Sequence, residues 1–214
     1  MRVYHFLKEK YAIEALSKRH LKIARLNSLN DPFEYFHMET DNYLARVTLK
    51  ERKNRANREY GLLCFSASYS SPVQWAHYAE SHAGICLGFE VPDTSLIKIH
   101  YTEERTPGSE FKSSLDLKGL EFIKHMLSKK HSHWKYEEEH RMLVRFSEKI
   151  MDDRLMFEPF SENLQVAEVL LGARSKLSNK ETKTILKLSN LRIPVSRVNL
   201  SENSYSMKKV SAGV

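Results

Sequence analysis

Cysteine is nearly absent, with only Cys64 and Cys86 in 214 residues. Both sit in apolar segments without CxxC spacing, which points to buried free thiols and away from a disulfide or a metal pair. The chain has no apolar run of about eighteen residues, and its opening MRVYHFLKEKY lacks an apolar signal core. A membrane span and a signal peptide are therefore not expected, and the chain reads as cytoplasmic. Glycine (7) and proline (6) are sparse. With no repeat, no low-complexity tract and no Gly/Ser/Pro linker, one domain over residues 1–214 is expected, and 210–214 is a tail that can fray. There is no GxxxxGK[ST], GxGxxG or GxSxG, so nothing supports a P-loop, a dinucleotide-binding fingerprint or a nucleophile elbow. Ten histidines invite a metal reading. His131 and His133 are only two apart, however, His77 and His82 miss helical ligand spacing, and no HExxH or Cys/His quartet occurs; no metal site is expected.

What remains is an ordinary globular composition, 41% hydrophobic and 29% charged. A formal net charge of +7 favours contact with polyanions: nucleic acid, a nucleotide's phosphates or an acidic surface. VYHF reads as a strand, followed by a helix over Glu9–Arg19 whose inner face is Ala12, Ala15 and Leu16. LKIARL reads as a short strand and SLNDPFEYF as a turn anchored by Phe33, Tyr35 and Phe36. Asn42–Glu59 suits an exposed basic helix carrying Arg46, Lys50, Arg52, Lys53, Arg55 and Arg58. GLLCFSASYSS is a strand running into a serine-rich loop, PVQWAHYAESH a helix with Pro72 in its first turn, and GICLGFEV a strand whose glycines suggest close backbone approach. After a turn and strand in VPDTSLIKIHYTEE, Leu115–Lys129 has helical amphipathicity through Leu117, Leu120, Phe122, Ile123 and Leu127. The chain closes with a strand at LQVAEVLLGARS, a helix at NKETKTILKLSN and two strands at LRIPVSRVNL and SYSMKKV. Strands and helices mix without βαβ alternation. The fold expected is α+β, a largely antiparallel mixed sheet flanked by helices.

The stretch WKYEEEHRMLV, Trp134 to Val144, carries the densest chemistry. Three adjacent carboxylates repel one another and need cationic help, for which Lys135, His140 and Arg141 are the local candidates. As a strand, it places Glu137, Glu139 and Arg141 on one face and His140, Met142, Val144 and Phe146 on the other. As a helix turn, Glu137 and Arg141 make only a surface pair.

The succession YHF, LNDPFE, CFS, WAHYAESHAGICLGF, WKYEEEHR and VAEVLLG resembles a bacterial family of unknown function, number 2971. More distantly, the opening YHF with its helix and short strand, and the glutamates of EEEHRMLV ahead of VAEVLLG, resemble ADP-ribosyltransferase folds, including the DNA-targeting toxin branch. That resemblance implies NAD as the substrate, transfer of ADP-ribose to nucleic acid or protein, or NAD hydrolysis, and a toxin or phage-defence role. It assigns Glu139 to stabilising the oxocarbenium-like state, Glu137 to the acceptor and His5 to the ribose. Trp75 and Tyr78 are candidates to stack on nicotinamide or adenine, Ser66 and Ser68 to contact phosphate or carboxamide, and Arg141 to steady the glutamates or the pyrophosphate. The middle motif residue is Ser66, Tyr69 or Tyr78. His5 also reads as a core histidine satisfied by backbone. For Asn30, Asp31 and Glu34 an Asx turn is favoured over a pocket role, where their acidity would suit ribose or base recognition. The competing function is a non-enzymatic module that binds nucleic acid or a protein through the basic helix 46–58.

Overall fold

A computed structural model of the chain describes residues 1–40, 42–108, 110, 117–146, 150–152 and 155–210. At its centre is a nine-stranded sheet in which β1 (Arg2–Leu7) lies between β5 (Ile85–Glu90) and β4 (Tyr60–Ser66). Beyond β5 come β12 (Gln165–Leu171), β13 (Val195–Leu200) and β14 (Met207–Lys209). Beyond β4 come β9 (Glu139–Arg145) and β6 (Leu96–Lys98), and β3 (Ala24–Arg25) pairs with the start of β4. Only the β12–β13 pair in this sheet is parallel. Two small sheets flank it: β2 (His20–Lys22) with β11 (Leu155–Pro159) and β10 (Ile150–Asp152), and the parallel pair β7 (His100–Thr102) and β8 (Lys129–His131). The helices are α1 (Glu9–Lys18), α2 (Tyr43–Glu59), α3 (Pro72–Tyr78), α4 (Gly119–Met126) and α5 (Asn179–Leu188). This is the mixed α+β, mostly antiparallel architecture expected.

Period-two alternation decides which core each strand enters. Val3 of β1 and Leu63 and Phe65 of β4 join one continuous core with Ala12, Ala15 and Leu16 of α1 and Leu186 of α5. The opposite face carries two separate cores. Tyr4 and Phe6 pack with Trp75 and Ala79, whereas Leu62 packs with Leu49, Ala56, Phe122 and Met126 of α2 and α4. The polar site occupies the interval between these two cores.

Several boundaries differ from the sequence reading. LKIARL is not one strand: buried Ile23 donates its N–H to Met156 O, and the chain changes sheets there. The helix expected over 72–82 stops at Tyr78, because Glu80, Ser81 and His82 all turn left-handed (φ 51°, 51° and 72°) to bring the chain back into β5. A Cβ at Gly84 would stand 2.3 Å from Leu7 O, so only glycine permits that return. The helix expected over 115–129 runs only from Gly119 to Met126, with 115 and 116 outside the described residues; Leu127 caps it, and Lys129 already belongs to β8. Leu117 and Leu120 are exposed, so they form no inner face. Of the tail expected to fray, 211–214 lie outside the described residues.

Candidate functional site

β1 and β4 share a single aligned pair, Tyr4 with Ser66, because the other end of β4 gives its edge to β3. The sheet therefore opens between them, and the half-buried His5 ring enters the gap with Nδ1 2.8 Å from Cys64 O. A carbonyl only accepts, so Nδ1 carries the proton and the neutral ring presents Nε2 as an acceptor. Burial pushes the His5 pKa down against that one bond, which keeps the ring neutral at pH 7. Backbone satisfaction and a place in the site thus hold together. A cavity of about 160 Å³ lies here, bounded by His5, Asn30, Glu34, Ser66, Gln74, Tyr78, Lys130, Glu137 and Glu139 among polar residues and by Tyr4, Phe6, Leu29, Cys64 and Phe65.

Beneath it is a buried cluster of charges. The Arg141 side chain is fully enclosed, and all five of its N–H donors are used. Nε and Nη2 reach Glu139 at 2.8 and 2.7 Å, Nη1 and Nη2 reach Glu34 at 2.7 and 2.6 Å, and Nη1 also donates to Leu127 O at 3.1 Å. Lys130 Nζ lies 2.6 Å from Glu137, 3.3 Å from Glu139 and 3.4 Å from Glu34. Counting Glu34, Glu137 and Glu139 against Lys130 and Arg141, three negative charges face two positive ones, an excess of one.

The two central glutamates differ in environment. Burial opposes the Glu139 charge, yet the Arg141 guanidinium and the Lys130 ammonium outweigh it and hold the carboxyl at about 2. For Glu137, burial is the larger influence and raises the carboxyl above its ordinary range, despite Lys130 and a 2.6 Å bond donated by Tyr78 Oη. Glu139 is permanently charged and clamped. Glu137 is the looser group and the one poised to exchange a proton.

The two carboxylates do not share a strand face. Ser132–Glu137 forms a 3-10 turn, Glu138 takes a left-handed conformation (φ 45°), and β9 begins at Glu139. The left-handed step turns Glu138 out to solvent and leaves its neighbours on the cavity side. Spreading the triplet in this way relieves the repulsion that three adjacent carboxylates would otherwise suffer. Within β9, period two does place Arg141 on the Glu139 face.

Other candidates separate cleanly. Tyr78 lines the cavity, accepting from Asn30 Nδ2 at 2.7 Å while donating to Glu137. Ser66 lines it too, but its hydroxyl is committed to Ser68 O and N and to Gln74 Nε2. Ser68 faces Ser70 in the loop and does not line the cavity, so the ligand contact weighed for it has no support. Trp75 is a core residue: it is fully buried against Phe6, and its indole N–H donates to Tyr69 O at 2.6 Å, leaving no face for a nicotinamide or adenine ring. Arg141 steadies the glutamates and has no donor left for a pyrophosphate. Tyr69, the remaining middle-motif candidate, packs on Tyr4 outside the cavity lining. The NDPFE turn does contain its Asx bond, Phe33 N–H to Asp31 Oδ1 at 2.9 Å, but Glu34 in the same turn is buried in the charge cluster. Lys130 and Gln74 were not signalled by any motif. Gln74 ties the serine loop to the glutamate turn through Ser66 Oγ, Tyr136 O and Glu137 O.

Residues 74–142 match the model of a family described as a protein of unknown function, DUF2971. The matched third of the chain contains Tyr78, Lys130, Glu137, Glu139 and Arg141 and so supports the resemblance to that family. No curated protein and no solved structure matches the chain. Among the described residues, no group of three or more His, Cys, Asp or Glu is placed to hold a metal, and no helix is long and apolar enough to cross a membrane.

Proposed function

We propose that this chain consumes NAD on an ADP-ribosyltransferase-like fold, passing ADP-ribose to nucleic acid, protein or water. One observation carries the reading: a small cavity at the opening of the central sheet, where a neutral histidine, a tyrosine hydroxyl and a surplus buried carboxylate converge. In the reaction, the bond between ribose C1′ and the nicotinamide nitrogen breaks, its electron pair goes to that nitrogen, and neutral nicotinamide leaves. Positive charge develops on the ribose, which the excess negative charge of the cluster favours. The acceptor's lone pair then bonds C1′, and its proton passes to a carboxylate.

Geometry favours Glu137 for the group that meets the ribose and the acceptor proton, with Glu139 as the fixed charge that holds Arg141 and Lys130 in place. His5 Nε2 is an acceptor suited to a ribose hydroxyl. The cavity's 160 Å³ falls below the roughly 300–1,000 Å³ usual for small-molecule sites, so it admits the nicotinamide end and leaves the rest of the dinucleotide outside. The test is nicotinamide release from NAD by the purified chain, with single-stranded DNA, tRNA, lysate protein or water as acceptor. Glu137→Gln is expected to lower the rate roughly a hundredfold to a thousandfold. Absence of nicotinamide with every acceptor overturns the reading.

The binding-module alternative keeps one observation in its favour. Arg46, Lys50, Arg55 and Arg58 of α2 are exposed, whereas Arg52 lies over Phe122 and Lys53 over Phe36. These four cations can meet phosphates with or without catalysis.

A further inference from the structure

A second cavity, of about 420 Å³, adjoins the first and shares Lys130 with it. Its size lies within the range usual for small-molecule sites, roughly 300–1,000 Å³. Besides the imidazoles of His37, His131 and His133, two larger rings line it: Phe33, 53% exposed, and half-buried Trp134. A cation stands over each, Arg105 at 4.8 Å from the Phe33 centroid and Lys130 at 4.5 Å from that of Trp134. With one face of each ring covered by its cation, the exposed Phe33 and half-buried Trp134 still present aromatic surface to this concave site.

His37 supplies a polar group in the same lining. It is buried, its Nδ1 lies 3.1 Å from Thr106 Oγ1, and Lys129 Nζ fixes that hydroxyl from 2.8 Å. Its Nε2 is buried without a hydrogen-bond partner among the described residues. Burial first, then the Lys129 and His125 charges, lower the His37 pKa to about 4 against a backbone interaction at His125, so the ring is neutral at pH 7. The lining sets Asp31, Glu103 and Glu104 against Arg105, Lys129 and Lys130, and Lys130 is already shared with Glu34, Glu137 and Glu139. The cavity therefore does not favour an anion. It suits an uncharged planar heterocycle bearing hydroxyl groups.

We propose that this second cavity is a nucleoside site, with the base stacked on Trp134 and Phe33 and the sugar hydroxyls matched by the carboxylates of Asp31, Glu103 and Glu104. The assignment stands on this cavity and not on NAD turnover. Such a nucleoside comes either from the adenosine half of a dinucleotide or from a nucleic-acid strand, and competition tells these apart.

The experiment titrates the full chain with adenosine, guanosine, cytidine and thymidine by calorimetry, and follows the change in tryptophan fluorescence on binding, which a stacked ligand imposes on Trp134 and not on the enclosed Trp75. At least one nucleoside is expected to bind with quenching. Phe33→Ala and Trp134→Ala should each weaken it roughly fivefold to a hundredfold, the usual worth of a base–aromatic stack. Displacement of the bound nucleoside by NAD but not by nicotinamide mononucleotide assigns the dinucleotide's adenosine; displacement by single-stranded DNA but not by NAD assigns a strand. No binding by any of the four nucleosides, or binding undiminished in Phe33→Ala, overturns the proposal; Phe33 is a surface residue, so its variant keeps the test valid if Trp134→Ala fails to fold.

Discussion

Glu137→Gln and Glu139→Gln make the same chemical change two residues apart, and different outcomes are expected. Both oxygens of Glu139 are clamped by Arg141 at 2.8 and 2.7 Å, with Lys130 at 3.3 Å. A glutamine there turns an amide NH2 towards a guanidinium N–H, donor against donor, and leaves a buried arginine half-paired. Neutralising one partner of a buried pair costs about 3–5 kcal/mol, a large share of the roughly 5–15 kcal/mol typical of a folded protein. The melting temperature of Glu139→Gln should fall by roughly 6–20 °C at this chain length. Glu137 is the surplus charge: burial already penalises its ionised form, and a glutamine carbonyl still accepts from Tyr78. Lys130 keeps Glu139 and Glu34 as partners. Glu137→Gln does weaken the 2.6 Å pair with Lys130, but because that ammonium stays compensated, the expected cost is about 1–3 kcal/mol, below that of Glu139→Gln.

The assay is urea and thermal unfolding followed by circular dichroism at pH 7, with nicotinamide release measured at a temperature where wild type and both variants are folded. If Glu137→Gln proves as destabilising as Glu139→Gln, the excess-charge account of the cluster is wrong. If it keeps the wild-type turnover rate, Glu137 is not the working carboxylate.

Four further outcomes are expected. Unfolded His37 binds a proton near pH 6.5 and the folded ring only near 4, so stability present above pH 6.5 is lost as pH falls towards 4; His37→Phe should flatten that slope in pH-dependent unfolding. Below it, Glu139 adds stability that is present above about pH 4.5 and lost as pH falls towards 2, a segment that Glu139→Gln should remove. Arg141→Lys should fail to replace arginine, because an ammonium has three donors where five are used, and its unfolding midpoint should fall well below wild type. If α2 meets a single strand, replacing Arg46, Lys50, Arg55 and Arg58 with glutamine should reduce the salt dependence of binding by roughly 0.7 for each phosphate no longer neutralised, as read from log affinity against log salt.

The long strands of the central sheet were legible from their β-branched, aromatic and apolar content, and period two sends alternate residues of VYHF and EHRMLV to opposite faces, whereas β2 and β3 were read as one strand and the short strands β8, β10 and β11 were not read as such. Helix ends were not, because tertiary needs set them; nothing local in AESHA announces three left-handed residues, although Gly84 marks the close approach that follows. In the site, Glu137 and Glu139 stood out as part of a charge run, but their convergence depends on a left-handed Glu138 that a strand pattern cannot show. Arg141 was read as a partner of the glutamates, while its second partner, Glu34, is 107 residues away. The acidity of the NDPFE turn was the only local signal for that residue, and a simple Asx turn explained the same letters. Lys130 left no signal, since its neighbours read as the end of a helix. Trp75 misled because an aromatic on a short helix looks the same whether it meets a ligand or the core.

A buried cluster of five charges is a poor way to stabilise a fold. Desolvating each ion costs several kcal/mol, and well-packed apolar groups of the same volume usually do as well or better. The other face of the same sheet, with its continuous apolar core, shows that this chain packs such groups readily. Retention of the charges therefore supports a working role for them, and a combined substitution tests this directly. Replacing Glu34 by Met, Glu139 by Leu and Arg141 by Met together removes the clamped triad and leaves Lys130 paired with Glu137 at 2.6 Å, still bonded to Tyr78. No unpaired charge remains, so stability should equal or exceed wild type by up to about 4 kcal/mol, unlike any single change. Nicotinamide release should nevertheless collapse, because the surplus negative charge beside the ribose is gone. A triple variant that unfolds would show that the triad is structural, and one that stays stable and keeps turning over NAD would remove the electrostatic basis of the proposed reaction.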